Sequence, residues 1–196
     1  MNDWKAKQAA KASAAAAMQA AFPHLVAVGG KVDSLNAAAK NIRVELKAAF
    51  PSIKFSVKSS RYSGGDSISV HWIDGPSSDQ VNEIIGKYSG GSFNGMEDIY
   101  EYSDDSWNDA FGEAKYVSAA RHNSDKAIES AIRSACLKWA IEGGAPSVAD
   151  FRAGKCWNHP CSANFDLQSL IHQVASKRVW CLPAKAKLVN MEEVEA

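Results

Sequence analysis

Two alternating runs, separated by a glycine pair, constrain this fold more than anything else in the chain. In IKFSVKS, Ile53, Phe55 and Val57 point one way and Lys54, Ser56 and Lys58 the other. In SISVHWI, Ile68, Val70 and Trp72 oppose Ser69 and His71. A side-chain period of two is the signature of a half-buried strand. The intervening tract, RYSGGD, supplies the turn, because its two glycines accept positive φ at no steric cost. The pair predicts an antiparallel hairpin with one apolar face, and that face must be covered.

The cover comes from both flanks. From Ser34 to Phe50, Leu35, Ala38, Ala39, Ile42, Leu46, Ala49 and Phe50 fall on one helical stripe, opposite Lys40, Arg43 and Lys47. Asp33 or Ser34 caps its start and Pro51 forbids continuation. After the break at Asp74-Gly75-Pro76, Ser77 or Ser78 caps a short helix whose Val81, Ile84, Ile85 and Tyr88 share a face. Gly90-Gly91 ends it. The stretch FNGMEDIYEYSDDSWNDAF suits either a short helix or an extra strand, and Tyr116 to Asn123 suits a strand or a link. A second strong helix is predicted from Asp125 to Glu142, with Ser124 as cap and Ile128, Ile132, Cys136 and Trp139 on its apolar side. A short helix near Val148–Arg152, the loop GKCWNHPCSANF, a helix near Asp166–Ser176 and a last strand in RVWCL complete the reading. The Ala-rich start is predicted as a helix ending near Phe22-Pro23. The expected fold is α/β (α+β): a small antiparallel sheet with helices on one face, followed by a mostly helical C-terminal portion. The expected divisions are an N-terminal helix and linker over 1–30, an α-β-β-α domain over 31–114 and a helical region over 115–196 packed on it.

Charge narrows the function. Lys and Arg number 22 and so do Asp and Glu, which argues against a highly basic nucleic-acid coat and against a strongly acidic DNA mimic. The distribution is uneven: residues 1–61 carry net +7, residues 62–114 net −10 and residues 115–196 net +3. Segments distant in sequence can neutralise one another in space, so this alternation is either a binding face or ordinary surface. Lys40, Arg43, Lys47, Lys54 and Lys58 form the candidate nucleic-acid patch, the plain alternative being a solvated surface. No apolar run approaches the roughly 20 residues that cross a bilayer. AKASAAAAMQA is too polar for a secretory signal, and Arg is absent there, so a reducing cytoplasm is the expected compartment, with no membrane partner. All four cysteines lie beyond residue 135, which does not suit a disulfide scaffold.

Three local constellations can carry chemistry. SSRYSGGDS, with Arg61, Tyr62 and Asp66 and with His71 on the next strand, reads as a recognition loop for a protein surface or a phosphate, or simply as a hairpin turn. It is not a Walker loop, since the Gly-Lys-Ser/Thr tail is missing. In CWNHPC, Cys156, His159 and Cys161 are soft ligands of the type that holds structural zinc, with Cys136, His172 or Cys181 to complete the set. The C-x₄-C spacing occurs only once, and thiols on apolar stripes behave as small hydrophobes. No other cofactor is expected. A Cys-His nucleophile in that loop is a further reading. Finally, Glu97, Asp98, Glu101, Asp104, Asp105 and Asp109 are interleaved with Tyr100, Tyr102 and Trp107. Such a stretch can bind divalent ions, or meet a basic partner through aromatics of the kind enriched at interface hot spots. The bland reading is a solvated face with the aromatics turned inward.

From about Leu35 to Tyr102 the sequence AAAKNIRVELKAAFPSIKFSVKSSRYSGGDSISVHWIDGP, followed by VNEIIGKYSGGSFNGMEDIYEY, resembles a large polyvalent protein associated domain. Such domains occur in giant proteins of phages and conjugative elements and in small stand-alone proteins. The resemblance implies a mobile-element origin and counter-defence work in the cytoplasm of a bacterial host, and it brings no catalytic residue. The expectation is a non-enzymatic protein that binds a host defence component, such as a CRISPR-Cas effector complex, and blocks it by covering a working surface. Its expected contact residues are Arg61, Tyr62, Asp66, His71, Glu101, Asp104, Asp105 and Trp107. The alternatives are a nucleic-acid-binding accessory module of DNA transfer or replication, and a metal-dependent enzyme built on CWNHPC or the acidic stretch.

Overall fold

A computed structural model describes residues 2–103, 106–139, 141, 143–159 and 165–179. The chain divides into two compact units. Among the described residues, one holds those up to Trp72 together with Ser78–Ala120, and the other holds Ile73–Ser77 and those from Arg121 to Val179.

The first unit is built on helix α2 (Ser34–Ala49) and strands β1 (Ser56–Tyr62) and β2 (Gly65–Ile73). The Asp33 carboxylate accepts the Asn36 N–H at 3.0 Å and so caps α2. Leu35, Ala38, Ala39, Ile42 and Leu46 of its apolar stripe are buried. β1 and β2 pair antiparallel from Ser56 opposite His71 to Tyr62 opposite Gly65, with Val57 facing Val70. Ile68, Val70 and Trp72 are buried with Ile42 and Leu46. Removing a side chain of this size from water is worth ~1.5–3 kcal/mol.

β1 differs from its expected bounds at both ends. It begins at Ser56, because the Ile53 N–H turns back to the Phe50 carbonyl at 3.0 Å just after the helix. It then runs through Arg61 and Tyr62, leaving a turn of only Ser63 and Gly64.

The stretch that suited either a helix or a strand holds both. β3 (Gly91–Asn94) and β4 (Ile99–Tyr102) form a separate antiparallel hairpin, and α4 (Ser106–Phe111) follows. β5 (Tyr116–His122) joins the first sheet in the order β1-β2-β5. Its contacts advance in step with β2: the Lys115 N–H donates to the Asp66 carboxylate at 2.8 Å, and the Ser118 and Ser69 hydroxyls meet at 3.4 Å. α3 (Ser78–Ile85) buries Val81 and Ile85, and α1 (Asn2–Ala21) packs against α4.

Two buried groups tie these elements together. Asn41 accepts the Val26 N–H at 2.7 Å and donates to the carbonyls of Val26 at 2.8 Å and Phe111 at 3.0 Å. Gly112, at φ +86°, lets the end of α4 pass against the start of α2: a Cβ there would lie 2.1 Å from the Ser34 carbonyl oxygen. The Ser34 hydroxyl then accepts the Glu113 N–H at 2.8 Å.

The second unit contains α5 (Asp125–Lys138), α6 (Val148–Arg152) and α7 (Leu167–Lys177). Ile128, Ala131, Ile132, Phe151, Cys156, Leu167 and Ile171 form its core. α5 is capped by Ser124, whose own N–H is held by the Asp74 carboxylate at 2.9 Å. The helix stops four residues earlier than its apolar spacing predicts, with Trp139 already extended. Arg121 donates to the Ala175 and Ser176 carbonyls at the end of α7, each at 3.3 Å, where a cation also complements the helix dipole. The expected strand RVWCL lies outside the described residues from Trp180 onward. The mixed α/β class, with a small sheet first and helices after it, is the one read from the sequence.

Candidate functional site

One end of the first unit gathers tyrosines around a single lysine. Gly65, at φ +146°, has no side chain, and the Lys115 chain occupies that space: a Cβ on Gly65 would lie 2.7 Å from Lys115 Cδ. Lys115 Nζ donates to the Gly64 carbonyl at 3.0 Å. The same ammonium lies 5.2 Å from the centre of the Tyr100 ring and 5.6 Å from that of Tyr116, within reach of their π faces. Tyr100 packs edge-on against Tyr102 at 4.9 Å and Tyr116 at 5.7 Å. β4, β5 and the β1–β2 turn thus converge through Lys115. Burial raises the Tyr100 phenol above its usual range, so it stays neutral and donates to the Lys115 carbonyl at 2.5 Å.

The surroundings are exposed, apolar and acidic. Tyr102 is 73% exposed and Met96 is 97% exposed, and Tyr62, Ile99 and Tyr116 are also open. Glu97, Asp98 and Glu101 lie exposed on the same hairpin. Aromatic surface framed by carboxylates suits a partner that offers cations and apolar area together.

The residues singled out in the sequence take divergent places. Tyr62 stands at this end, its hydroxyl donating to the Asp66 carbonyl at 3.4 Å. Asp66 holds the start of β5 through the Lys115 N–H, so it builds the site from within. Arg61 is on the helix side of β1 and pairs with Asp33 at 2.6 Å. The Asn36 N–H and then Arg61 hold the Asp33 carboxyl below its ordinary range. Arg61 therefore ties the hairpin to the cap of α2. His71 is half-buried on the outer sheet face, opposite Ser56. Glu101 is exposed on β4 opposite Ser92. Asp104 and Asp105 lie outside the described residues.

Trp107 requires a correction: it is a core residue. Helical spacing puts Trp107, Ala110 and Phe111 on one side of α4, and the indole packs 5.1 Å from Phe22 and 4.8 Å from Phe111. The Lys87 ammonium lies over the same indole at 4.1 Å and is itself paired with Glu45 at 2.6 Å.

Of the five basic residues, Arg43, Lys47 and Lys54 come together at the junction of α2 and β1. Lys40 lies further back on α2, and Lys58 alternates onto the sheet face turned away from that helix. In the second unit Cys156 is buried among Ile128, Phe151 and Leu167, and burial pushes its thiol up. A His159 ring nitrogen meets the Gly144 carbonyl at 3.0 Å, and Cys161 lies outside the described residues. Among the described residues no three His, Cys, Asp or Glu side chains come together as a metal would need.

Lys115 and Tyr116 were absent from the sequence-based candidates. Neither alternation nor a motif marks them. Their role appears only when β5 lies beside β2, a pairing between residues about 50 apart, as in the Asp66–Lys115 bond.

The family comparison gives this unit its relatives. Residues 33–124 match the family model of large polyvalent protein associated domain 29. Over this segment the chain is similar to large polyvalent protein associated domains. The matched stretch opens on Asp33, the cap of α2, and closes on Ser124, the cap of α5. It contains β5 and the whole tyrosine cluster, so it reaches past the Tyr102 at which the sequence resemblance stopped. No curated protein and no solved structure matches the chain. Among the described residues no helix is long and apolar enough to cross a membrane.

Proposed function

We propose that this protein is a mobile-element counter-defence factor that acts by occlusion: its tyrosine-bearing acidic end covers a basic working surface of a host defence complex, such as a CRISPR-Cas effector. One observation carries the reading. Tyr102, Tyr116 and Tyr62 are exposed at the end braced by Lys115, and Ile99 and Met96 are exposed on the hairpin that carries Tyr102. Isolated exposed apolar residues need no explanation, but a cluster on a braced framework is the form an interaction surface takes. The neighbouring carboxylates select a cationic partner, which is the character of surfaces that hold nucleic acid. The polyvalent-protein relationship supplies the mobile-element setting.

The test is phage plating on bacteria with active CRISPR immunity, across several effector types, with the protein expressed in trans. The expected result is restored plating with one effector type, lost with Tyr102→Ala plus Ile99→Ser and retained with Arg133→Ala in the second unit. Failure to restore plating with any type, or full activity of the Tyr102/Ile99 variant, contradicts the proposal.

A further inference from the structure

The junction of α2 and β1 holds a groove of about 390 Å³ lined by Arg43, Lys47, Pro51, Ser52, Ile53, Lys54 and Phe55. Its apolar part is rigid: the Phe55 ring lies 6.1 Å from Phe50 and 5.6 Å from Trp72, both buried. Its cations differ in freedom. The Arg43 guanidinium is anchored, donating to the Ala39 carbonyl at 3.0 Å and the Val57 carbonyl at 2.6 Å. Lys47 and Lys54 are exposed and have no ion pair among the described residues. Glu45 of the same helix is engaged by Lys87 and by the Tyr88 hydroxyl, at 2.6 and 2.7 Å.

We infer that this groove binds single-stranded nucleic acid, one nucleotide at a time. The phosphate lies between the Lys47 and Lys54 ammonium groups, and the base lies on Ile53 and Phe55. Three positive charges around an apolar floor are complementary to a nucleotide on both counts, whereas the carboxylates of an acidic peptide leave the aromatic floor uncovered. The volume falls within the ~300–1,000 Å³ range of small-ligand sites. The inference uses none of the residues of the tyrosine-bearing end, so the two readings stand or fall separately.

The experiment is fluorescence anisotropy of the full chain with a labelled oligothymidylate of about 20 nucleotides, at salt from about 50 to 200 mM, with a polyglutamate peptide of similar length alongside. The oligonucleotide is expected to bind, and the one phosphate held between Lys47 and Lys54 gives a slope of log K against log salt of about −0.7. Lys47→Glu with Lys54→Glu is expected to weaken binding at least ~10-fold, with the melting temperature unchanged because both side chains are exposed. Lys138→Glu, in the second unit, leaves binding as it was. Absence of oligonucleotide binding at the lowest salt, unchanged affinity of the double variant, or preference for polyglutamate overturns the inference.

Discussion

Tyr100 and Lys115 hold each other twice: the phenol donates to the lysine carbonyl at 2.5 Å, and the lysine ammonium returns to within 5.2 Å of the centre of the phenol ring. The lysine chain then reaches the Gly64 carbonyl, so the hairpin turn and β4 share one brace. Tyr100→Phe keeps the ring and leaves a half-buried carbonyl without its donor. It is expected to cost about 1 kcal/mol in urea unfolding. Lys115→Ala is expected to speed amide exchange around Ser63–Gly65 and at β4, while the α2 core exchanges at its former rate. Equal protection in wild type and Lys115→Ala would show that the brace is idle.

Gly112 tests the contact between the end of α4 and the start of α2. Gly112→Ala must place a Cβ at positive φ and 2.1 Å from the Ser34 carbonyl oxygen. A loss of more than ~2 kcal/mol is expected from strain and clash combined. Gly30 also has positive φ, +60°, but open space around it. Gly30→Ala is therefore expected to cost only about 1 kcal/mol. Equal effects of the two substitutions in thermal or denaturant melts would remove the steric part of this explanation.

Glu113 gives the first unit a predictable pH dependence. Burial raises its carboxyl pKa, with Asp109 and Asp66 adding to the rise and a hydrogen bond to Asn108 opposing it. A carboxyl whose pKa is higher folded than unfolded favours folding while protonated. Its stabilisation is full below the unfolded pKa and is lost as pH climbs through the folded one. Glu113→Gln keeps an amide for Asn108 and removes the charge. It is expected to melt higher than wild type at pH 7, with the gap closing toward pH 4. A gap that widens on acidification contradicts the assignment.

Cys156 is expected to behave as a core residue. Its thiol is buried and its pKa is raised by that burial, so little thiolate is available. In native protein at pH 7.5 its reaction with a disulfide reagent should be slower than in urea by more than about tenfold. Cys156→Ser buries a hydroxyl in place of the thiol, at a cost of about 1–3 kcal/mol. Rapid labelling of native Cys156 would instead favour the metal or nucleophile readings of CWNHPC.

These contrasts show what local pattern can and cannot reveal. The apolar stripe of α2, the alternation through Ile68, Val70 and Trp72, and the cap at Ser124 are encoded within a few residues of where they act, and each was legible; the cap of α2 was legible only as Asp33 or Ser34. Trp107 was misplaced because its neighbours in sequence are acidic, while its neighbours in space, Phe22 and Phe111, come from the residue just after α1 and the far turn of α4. Arg61 read as a free recognition charge until the hairpin brought it to Asp33, nearly thirty residues away. Lys115 was invisible for a related reason: its meaning depends on the absence of a side chain at Gly65, which no spacing rule connects to it.

Occlusion without chemistry makes a stoichiometric claim, and a titration tests it most directly. The effector complex that phage plating identifies is assayed for target cleavage against increasing protein. Inhibition should saturate near one copy of the chain per complex, reverse on dilution, and move to higher concentration by at least ~10-fold in Tyr102→Ala. Complete inactivation at far below one copy per complex, persisting after the protein is removed, would mean that it turns over a substrate and would contradict the account.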